Sequence, residues 1–180
     1  MLKSMIVSIM VAAGLTCAAT PAAAEVVART ADGFTLSYAA RLQSTAGDVA
    51  LAVEDIGGWW DSAHTYSGDA ANMTLQLRPG GCFCEALPNG ETFEHGRVTL
   101  IDDEHIVLNA PLGPLNGHTT RADLIFSWPE AGTGVTATLT FVVEGPQLGA
   151  AADGVDGVMR TQFTRFIHYV EYGEPPAPAE

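Results

Sequence analysis

Positive charge is scarce in this 180-residue sequence: 8 lysines and arginines stand against 21 aspartates and glutamates, giving a formal net charge of −13. Nucleic-acid-binding proteins gain affinity when Lys and Arg displace counterions from phosphates, so this charge balance argues against a nucleic-acid partner. Charged residues make up only 16 %, whereas 47 % of the residues are apolar. Because disordered polyanions have a low apolar content, we expect one folded domain with a buried core.

The sequence also lacks the short motifs of several common chemistries. It contains no Gly-x-Ser-x-Gly nucleophile elbow, no P-loop and no dinucleotide-binding fingerprint. Its five histidines show neither His-x-His nor His-x-x-x-His spacing, so we predict no metal and no cofactor. The histidines are His64, His95, His105, His118 and His168.

Cysteine is rare, with three in the chain. Cys82 and Cys84 lie two residues apart in a predicted strand, where ideal geometry places their Cα atoms about 6.6 Å apart, at the upper edge of disulfide reach. We therefore predict two reduced, poorly accessible thiols. A strained or redox-active bridge and metal ligation are the alternatives, although nothing in the sequence brings a histidine to the pair.

The first 24 residues have the features of a secretory signal peptide. Lys3 precedes an apolar run over 5–15, and small residues follow up to Ala24, so we predict cleavage after Ala24 and an exported protein, periplasmic or secreted. The run is shorter than the ~20 residues of a transmembrane helix, and no stable membrane insertion is expected. Cys17 raises lipidation as an alternative, but Gly14 stands where a lipobox has a large aliphatic residue.

Hydrophobic periodicity then predicts an α+β domain. Residues 33–42 alternate as a half-buried strand does. An N-cap at Ser44-Thr45 begins a short helix, which we expect to end at Gly57-Gly58. Further strands alternate with turns and form an antiparallel sheet. They are predicted around Met73–Leu77, Cys82–Leu87, Phe93–Ile101, Ile106–Ala110, Arg121–Trp128 and Val135–Val143.

The spacing changes to three and four residues near residue 150 and predicts an amphipathic helix that ends near residue 172. A curved sheet of six to seven strands wrapped around this helix would cover its apolar face. We assign 25–32 as an irregular lead-in, 33–172 as the domain and 173–180 as a disordered tail. The apolar stripe of the helix contains Val155, Val158, Met159, Gln162, Phe163, Phe166, Ile167 and Val170.

Several local strings in this order resemble the START-like (SRPBCC) superfamily with its helix-grip fold, and more narrowly the bacterial homologues of the heat-shock-protein ATPase activator (AHSA-type). The resemblance covers about 33–172. This chain differs from those homologues in its signal peptide and in the two cysteines that flank Phe83. The strings are Trp59-Trp60, Ser67-Gly68-Asp69, Leu77-Arg78-Pro79-Gly80-Gly81, His95-Gly96-Arg97-Val98, Gly132-Thr133-Gly134-Val135-Thr136 and Tyr169-Val170-Glu171.

The resemblance implies an apolar cavity between the sheet and the last helix. It implies no shared catalytic residue. We therefore predict an exported protein that binds a small hydrophobic molecule. The alternatives are a cavity enzyme with acid/base chemistry and a ligand-free stress or interaction domain. The residues predicted to line the cavity are Trp59, Phe83, His95, His118, Trp128, Met159 and Phe163.

Carboxylates inside predicted strands are candidates for a general acid or base. Glu85, Glu94 and Asp123 are the three such residues. Because strand carboxylates usually face water, we expect all three on the solvated face of the sheet.

Overall fold

The structure, a computed structural model, describes residues 25–177, and one antiparallel sheet forms its frame. The sheet contains nine strands in the order β1-β2-β9-β7-β6-β5-β4-β3, with the short β8 paired to β9. Their bounds are β1 Glu25–Thr30, β2 Gly33–Leu42, β3 Met73–Leu75, β4 Cys82–Ala86, β5 Thr92–Ile101, β6 His105–Asn109, β7 Arg121–Ser127, β8 Glu130–Ala131 and β9 Gly134–Glu144.

Alternation along the central strands makes one face of the sheet apolar. In β7 and β9 every second side chain is buried, and β2 follows the same alternation except at the half-buried Ala40. Register partners lie on the same face. Leu36, Phe141 and Leu124 form one such cross-strand row, since Phe141 pairs with both of the others. The opposite face is partly polar, as in the 3.3 Å contact between the hydroxyls of Ser37 and Thr140.

Helix α3, Ala152–Tyr172, packs on the apolar face. Its buried side chains include Phe163, which stacks on Tyr38 of β2 with ring centroids 5.7 Å apart, and Phe166, which contacts Phe126 of β7 at 5.6 Å. The α+β helix-grip fold predicted from the sequence is therefore confirmed, with a few more strands than expected. No helix among residues 25–177 is long and apolar enough to cross a membrane.

The connection between β2 and β3 contains two helices, α1 at Ala46–Glu54 and α2 at Ile56–Trp59. Thr45 caps α1 as predicted and forms a reciprocal capping box with Asp48. The prediction that this helical segment ends at Gly57-Gly58 is wrong, because both glycines lie inside α2. Gly57 is there for close packing: a Cβ atom would lie 2.8 Å from the carbonyl oxygen of Met73.

Two other local predictions differ from the structure. Residues 25–30 form β1, which pairs with β2, instead of an irregular lead-in. The predicted turn over 129–134 contains the two-residue strand β8. The predicted signal peptide, 1–24, lies outside the described residues, as do the last three residues of the predicted tail.

The prediction of reduced and poorly accessible cysteines is also wrong. Cys82 and Cys84 form a disulfide, and both side chains are only half-buried. Their Cα atoms are 5.4 Å apart, which is well within disulfide reach. The ideal strand spacing overestimated this distance because the ladder between β4 and β5 is irregular between Phe83 and Cys84.

Candidate ligand cavity with a buried histidine–glutamate pair

A cavity of about 760 Å³ lies between the first half of α3 and the sheet. Two segments close its sides, the one that follows α2 and the 3-10 turn Gly113–Leu115 between β6 and β7. Phe141 of β9 contributes from the sheet. The lining residues are Trp60, His64, Thr65, Tyr66, His95, Leu112, Gly113, Pro114, Leu115, Phe141, Ala150, Ala151, Gly154, Val155, Val158 and Met159.

The structure brings two of the predicted lining residues, His95 and Met159, to this cavity. Four others belong to the packed core: Trp59, Phe83, Trp128 and Phe163 are each at most 2 % exposed, and none lines the cavity. His118 lies exposed in the connection between β6 and β7, also outside the lining. Periodicity marks a side chain as inward-facing, but it does not show where the packing leaves a gap.

His95 and Glu85 form a buried pair at the cavity wall. The Nε2 atom of His95 lies 2.8 Å from Oε2 of Glu85, and the two residues are 5 % and 0 % exposed. The expectation that Glu85 faces water is therefore wrong, because Glu85 alternates with Phe83 in β4 and shares its inward face. Glu94 and Asp123, by contrast, lie on the other face, where they pair with Arg97 and Arg121.

A β-bulge gives His95 its position. Phe83 of β4 pairs with Gly96 of β5, whereas the next residue, Cys84, pairs with Glu94. His95 is thus the extra residue of β5 and lies between two partnered positions. Bulges of this kind redirect side chains. Here His95 and Val98 both face inward although three positions separate them, and Glu94 faces outward.

Hydrogen bonds hold Glu85 in its ionised form. Burial alone would raise the pKa of Glu85, but hydrogen bonds from Ser67, Tyr66 and His95 outweigh it and keep this pKa below its usual range. The backbone N–H groups of Tyr66 and Ser67 both donate to the carboxylate, the first at 3.1 Å. Glu85 therefore fixes the loop that closes one side of the cavity.

His95 is kept neutral. Burial lowers its pKa, and the opposing influence of Glu85 is smaller. An ionised carboxylate can only accept hydrogen bonds, so Nε2 of His95 must carry the ring proton and donate a hydrogen bond to Glu85. The second ring nitrogen, Nδ1, is then an acceptor, and it has no hydrogen-bond partner among residues 25–177. This arrangement presents a neutral, oriented imidazole at the cavity wall.

Three aromatic rings hold the imidazole in place. His95 stacks with Phe83 at a centroid distance of 4.9 Å and with Tyr66 at 5.7 Å, and it makes a T-shaped contact with Phe93 at 5.0 Å. Tyr66, which had no signal in the sequence, is 52 % exposed, whereas His95 beside it is 5 % exposed. These ring contacts restrict the orientation of the imidazole at the cavity wall.

Polar side chains of α3 fix the wall that carries Trp60. Gln162, fully buried, accepts a hydrogen bond from the backbone N–H of Asp61 at 2.9 Å. Arg165 donates through Nε to the carbonyl oxygen of Trp59 at 2.7 Å. Gln162 falls within the predicted apolar stripe, and this contact explains why a polar residue occupies a buried position there.

Two other hollows lie on the surface, one beside Arg29 at the β1–β2 turn and one beside Tyr169 at the end of α3. The titratable side chains along both are at least partly exposed. The cavity at His95 is therefore the one among these three that combines apolar walls with a buried titratable pair.

Comparison with known proteins supports the architecture. No protein-family model matches the chain, and no curated protein matches its sequence. Among solved structures, CalU16 from Micromonospora echinospora matches with a TM-score of 0.54 and 15 % identity, covering 87 % of this chain and 88 % of that one. SSP2350 from Staphylococcus saprophyticus matches with a TM-score of 0.55 and 13 % identity, covering 81 % and 97 %.

A third similar structure is BexL, a di-domain ARO/CYC protein from the BE-7585A biosynthetic pathway. Its TM-score is 0.53 at 15 % identity, and the match covers 85 % of this chain and 53 % of BexL. At these identities the likeness establishes the fold, and the chain is a helix-grip protein. Its activity has to be argued from its own cavity.

Proposed function

We propose that this protein binds a small hydrophobic molecule in the cavity beside His95, and that it is a START-like superfamily member. The cavity itself carries the proposal. Its volume of about 760 Å³ lies within the range of small-molecule sites, and residues such as Leu115, Phe141 and Met159 make its walls mainly apolar. The few polar groups, His95 foremost, would orient a ligand that has one polar end.

A pair of tryptophan substitutions on α3 tests this proposal. Val158 is half-buried and lines the cavity, so Val158→Trp should fill the cavity and abolish uptake of an environment-sensitive hydrophobic dye at little cost in stability. Phe163→Trp is the matched control: Phe163 packs on Tyr38 outside the cavity, so this variant should lose about 1–3 kcal/mol of stability and keep dye binding.

Unchanged dye uptake in Val158→Trp, or no uptake by the unmodified protein, would refute ligand binding at this site. Native mass spectrometry of the protein purified from its own source is the second test, because it would detect a retained ligand. A small molecule that is lost in Val158→Trp and kept in Phe163→Trp is the expected result.

A second candidate function, proton transfer on the bound molecule, is favoured by the His95–Glu85 pair. A neutral imidazole whose Nε2–H is held by a carboxylate leaves Nδ1 to accept a proton, and Glu85 would stabilise the resulting imidazolium. His95→Gln separates the two functions. If the unmodified protein and this variant both bind the molecule and neither converts it, the protein is a binding protein. If the variant still binds the molecule but no longer converts it, the protein is an enzyme.

Export and the narrower AHSA-type kinship are further parts of the proposal. The charged start, apolar run and small residues before Ala24 support export with cleavage after Ala24. The intact mass of the mature protein measures this directly: a chain that starts at Met1, or at a lipidated Cys17, would contradict it. The local strings around Arg78 and His95 support the AHSA-type kinship.

A further inference from the structure

The outer face of β4 and β5 has a cluster that the proposed function does not use. Cys82 and Cys84 project away from the cavity, because Phe83 between them projects into the core. Glu94 is the register partner of Cys84 and lies on the same outer face. The two sulfur atoms and a carboxylate oxygen of Glu94 lie within 4.8 Å of one another.

We propose that Cys82, Cys84 and Glu94 form a redox-controlled site for a thiophilic divalent cation such as Zn²⁺ or Cd²⁺. The inference is independent of the ligand cavity. Two thiolates and a carboxylate are a donor set that Zn²⁺ accepts, with a fourth position left to solvent. Tetrahedral Zn–S bonds of about 2.3 Å place sulfur ligands about 4 Å apart, so small side-chain movements would close the site around the ion.

Charge and exposure at the cluster fit this use. Cys82 is the register partner of Arg97, whose guanidinium forms an ion pair with Glu94. A nearby guanidinium favours thiolates over thiols. Two thiolates, one carboxylate and one guanidinium sum to two negative charges, which matches a divalent cation. The cysteines are half-buried and Glu94 is exposed, so both reductant and ion have access.

The redox step makes binding conditional. A reducing dithiol gives two electrons and two protons to the Cys82–Cys84 disulfide and becomes a disulfide itself. The cation then displaces both thiol protons to solvent and two metal–sulfur bonds form. When a disulfide oxidant removes two electrons from the thiolates, the sulfur–sulfur bond forms again, both metal–sulfur bonds break, and the cation leaves.

Cadmium titration of the purified protein tests the site. After reduction with a phosphine, added Cd²⁺ should produce the ultraviolet charge-transfer band of a cadmium thiolate. Reoxidation of the same sample should remove the band and release the ion. Cd²⁺ binding that is equal before and after oxidation, or no band in the reduced protein, would overturn the proposal, and neither readout needs a variant.

Variants then assign the ligands. Cys84→Ser should lose the band, and Glu94→Gln should keep it but bind Cd²⁺ at least about tenfold more weakly. Glu91→Gln is the matched control, since Glu91 is an exposed acidic residue next to β5 that is not part of the cluster. If Glu94→Gln and Glu91→Gln bind Cd²⁺ equally, Glu94 is not a ligand and the site as proposed is wrong.

Discussion

Glu85 accepts a hydrogen bond from His95 although the two residues are not register partners: Glu85 pairs with Phe93, and His95 is the unpaired residue of a bulge. They meet as diagonal neighbours on the inner face of two adjacent strands. The ionised carboxylate thereby joins three parts of the molecule, β4, β5 and the loop at Tyr66 and Ser67.

Replacing the carboxylate should destabilise the fold. In Glu85→Gln the amide NH₂ group replaces one carboxylate oxygen and faces the backbone N–H donor, of Tyr66 or Ser67, that this oxygen had satisfied. An unsatisfied buried partner costs about 1–3 kcal/mol. Glu94→Gln, on the exposed face of the next strand, should change the free energy of unfolding by less than ~0.5 kcal/mol. Urea unfolding measures the free energy of unfolding of both variants. Equal values would mean that the hydrogen bonds of Glu85 do not stabilise the fold.

The free energy of unfolding should decrease as the pH is lowered, and His95 should account for part of this decrease. Its folded pKa is lowered below the ordinary value of 6.5, so the unfolded chain takes up the proton first and unfolding becomes easier as pH drops below that value. The lowered pKa of Glu85 acts in the same direction in the acid range below its ordinary value of 4.5.

His95→Gln isolates the histidine contribution, because glutamine does not titrate and still offers a donor to Glu85. We expect a smaller loss of unfolding free energy than in the unmodified protein as pH falls from about 6.5 to 5. Urea unfolding at a series of pH values gives this slope. The same slope in both proteins would place the titrating group elsewhere.

Gln162 should matter for both stability and binding. Gln162→Leu keeps the side-chain volume nearly constant but leaves the N–H of Asp61 without its acceptor, which costs about 1–3 kcal/mol and loosens the wall at Trp60. Thr161→Leu makes a similar polar-to-apolar change on the exposed face of α3 and should be nearly neutral. Thermal unfolding and dye titration of the two variants measure both effects. Unchanged stability and unchanged dye affinity in Gln162→Leu would show that Gln162 does not hold the wall at Trp60 in place.

Substitution of glycine by alanine should change the stability in opposite directions at one position in α3 and one in the sheet. A Cβ atom on Gly157 would meet nothing within 4 Å, and alanine is favoured over glycine inside a helix by ~1 kcal/mol, so Gly157→Ala should stabilise. On Gly96 the same atom would lie 2.5 Å from the carbonyl oxygen of Asn109, so Gly96→Ala should destabilise. The two melting temperatures relative to the unmodified protein decide whether the signs are opposite.

Much of this fold could be predicted from periodicity alone. The alternation in 33–42 and the helical stripe of α3 are clear because one face of each is buried. β1 was missed because it is an edge strand: Val26 is half-buried and Val27 is 52 % exposed, so no two-residue pattern marks it. A cavity depends on where side chains fail to meet, and that is set by the packing of several elements together.

The pair at the cavity wall was partly visible in the sequence. Glu85 alternates with Phe83, and the alternation indicates an inward carboxylate, whereas the average behaviour of strand carboxylates indicates the reverse. His95 was predicted to line the cavity, but its contact with Glu85 could not be foreseen, because a bulge shifts the faces of β5 by one position and leaves no mark in the sequence. The disulfide was missed for a related reason, since ideal strand spacing does not hold beside that bulge.

Because of the bulge, His95 is an extra residue in β5, and the pairing of its neighbours with β4 does not depend on it. If the His95 codon were deleted, Phe93, Gly96 and Val98 would alternate inward, and Glu94 and Arg97 outward, so every other residue of this region would keep its present face. The imidazole would be replaced by the hydrogen atom of Gly96 opposite Phe83. One in-frame codon therefore separates a regularly paired β5 from a β5 that places an imidazole at the cavity wall.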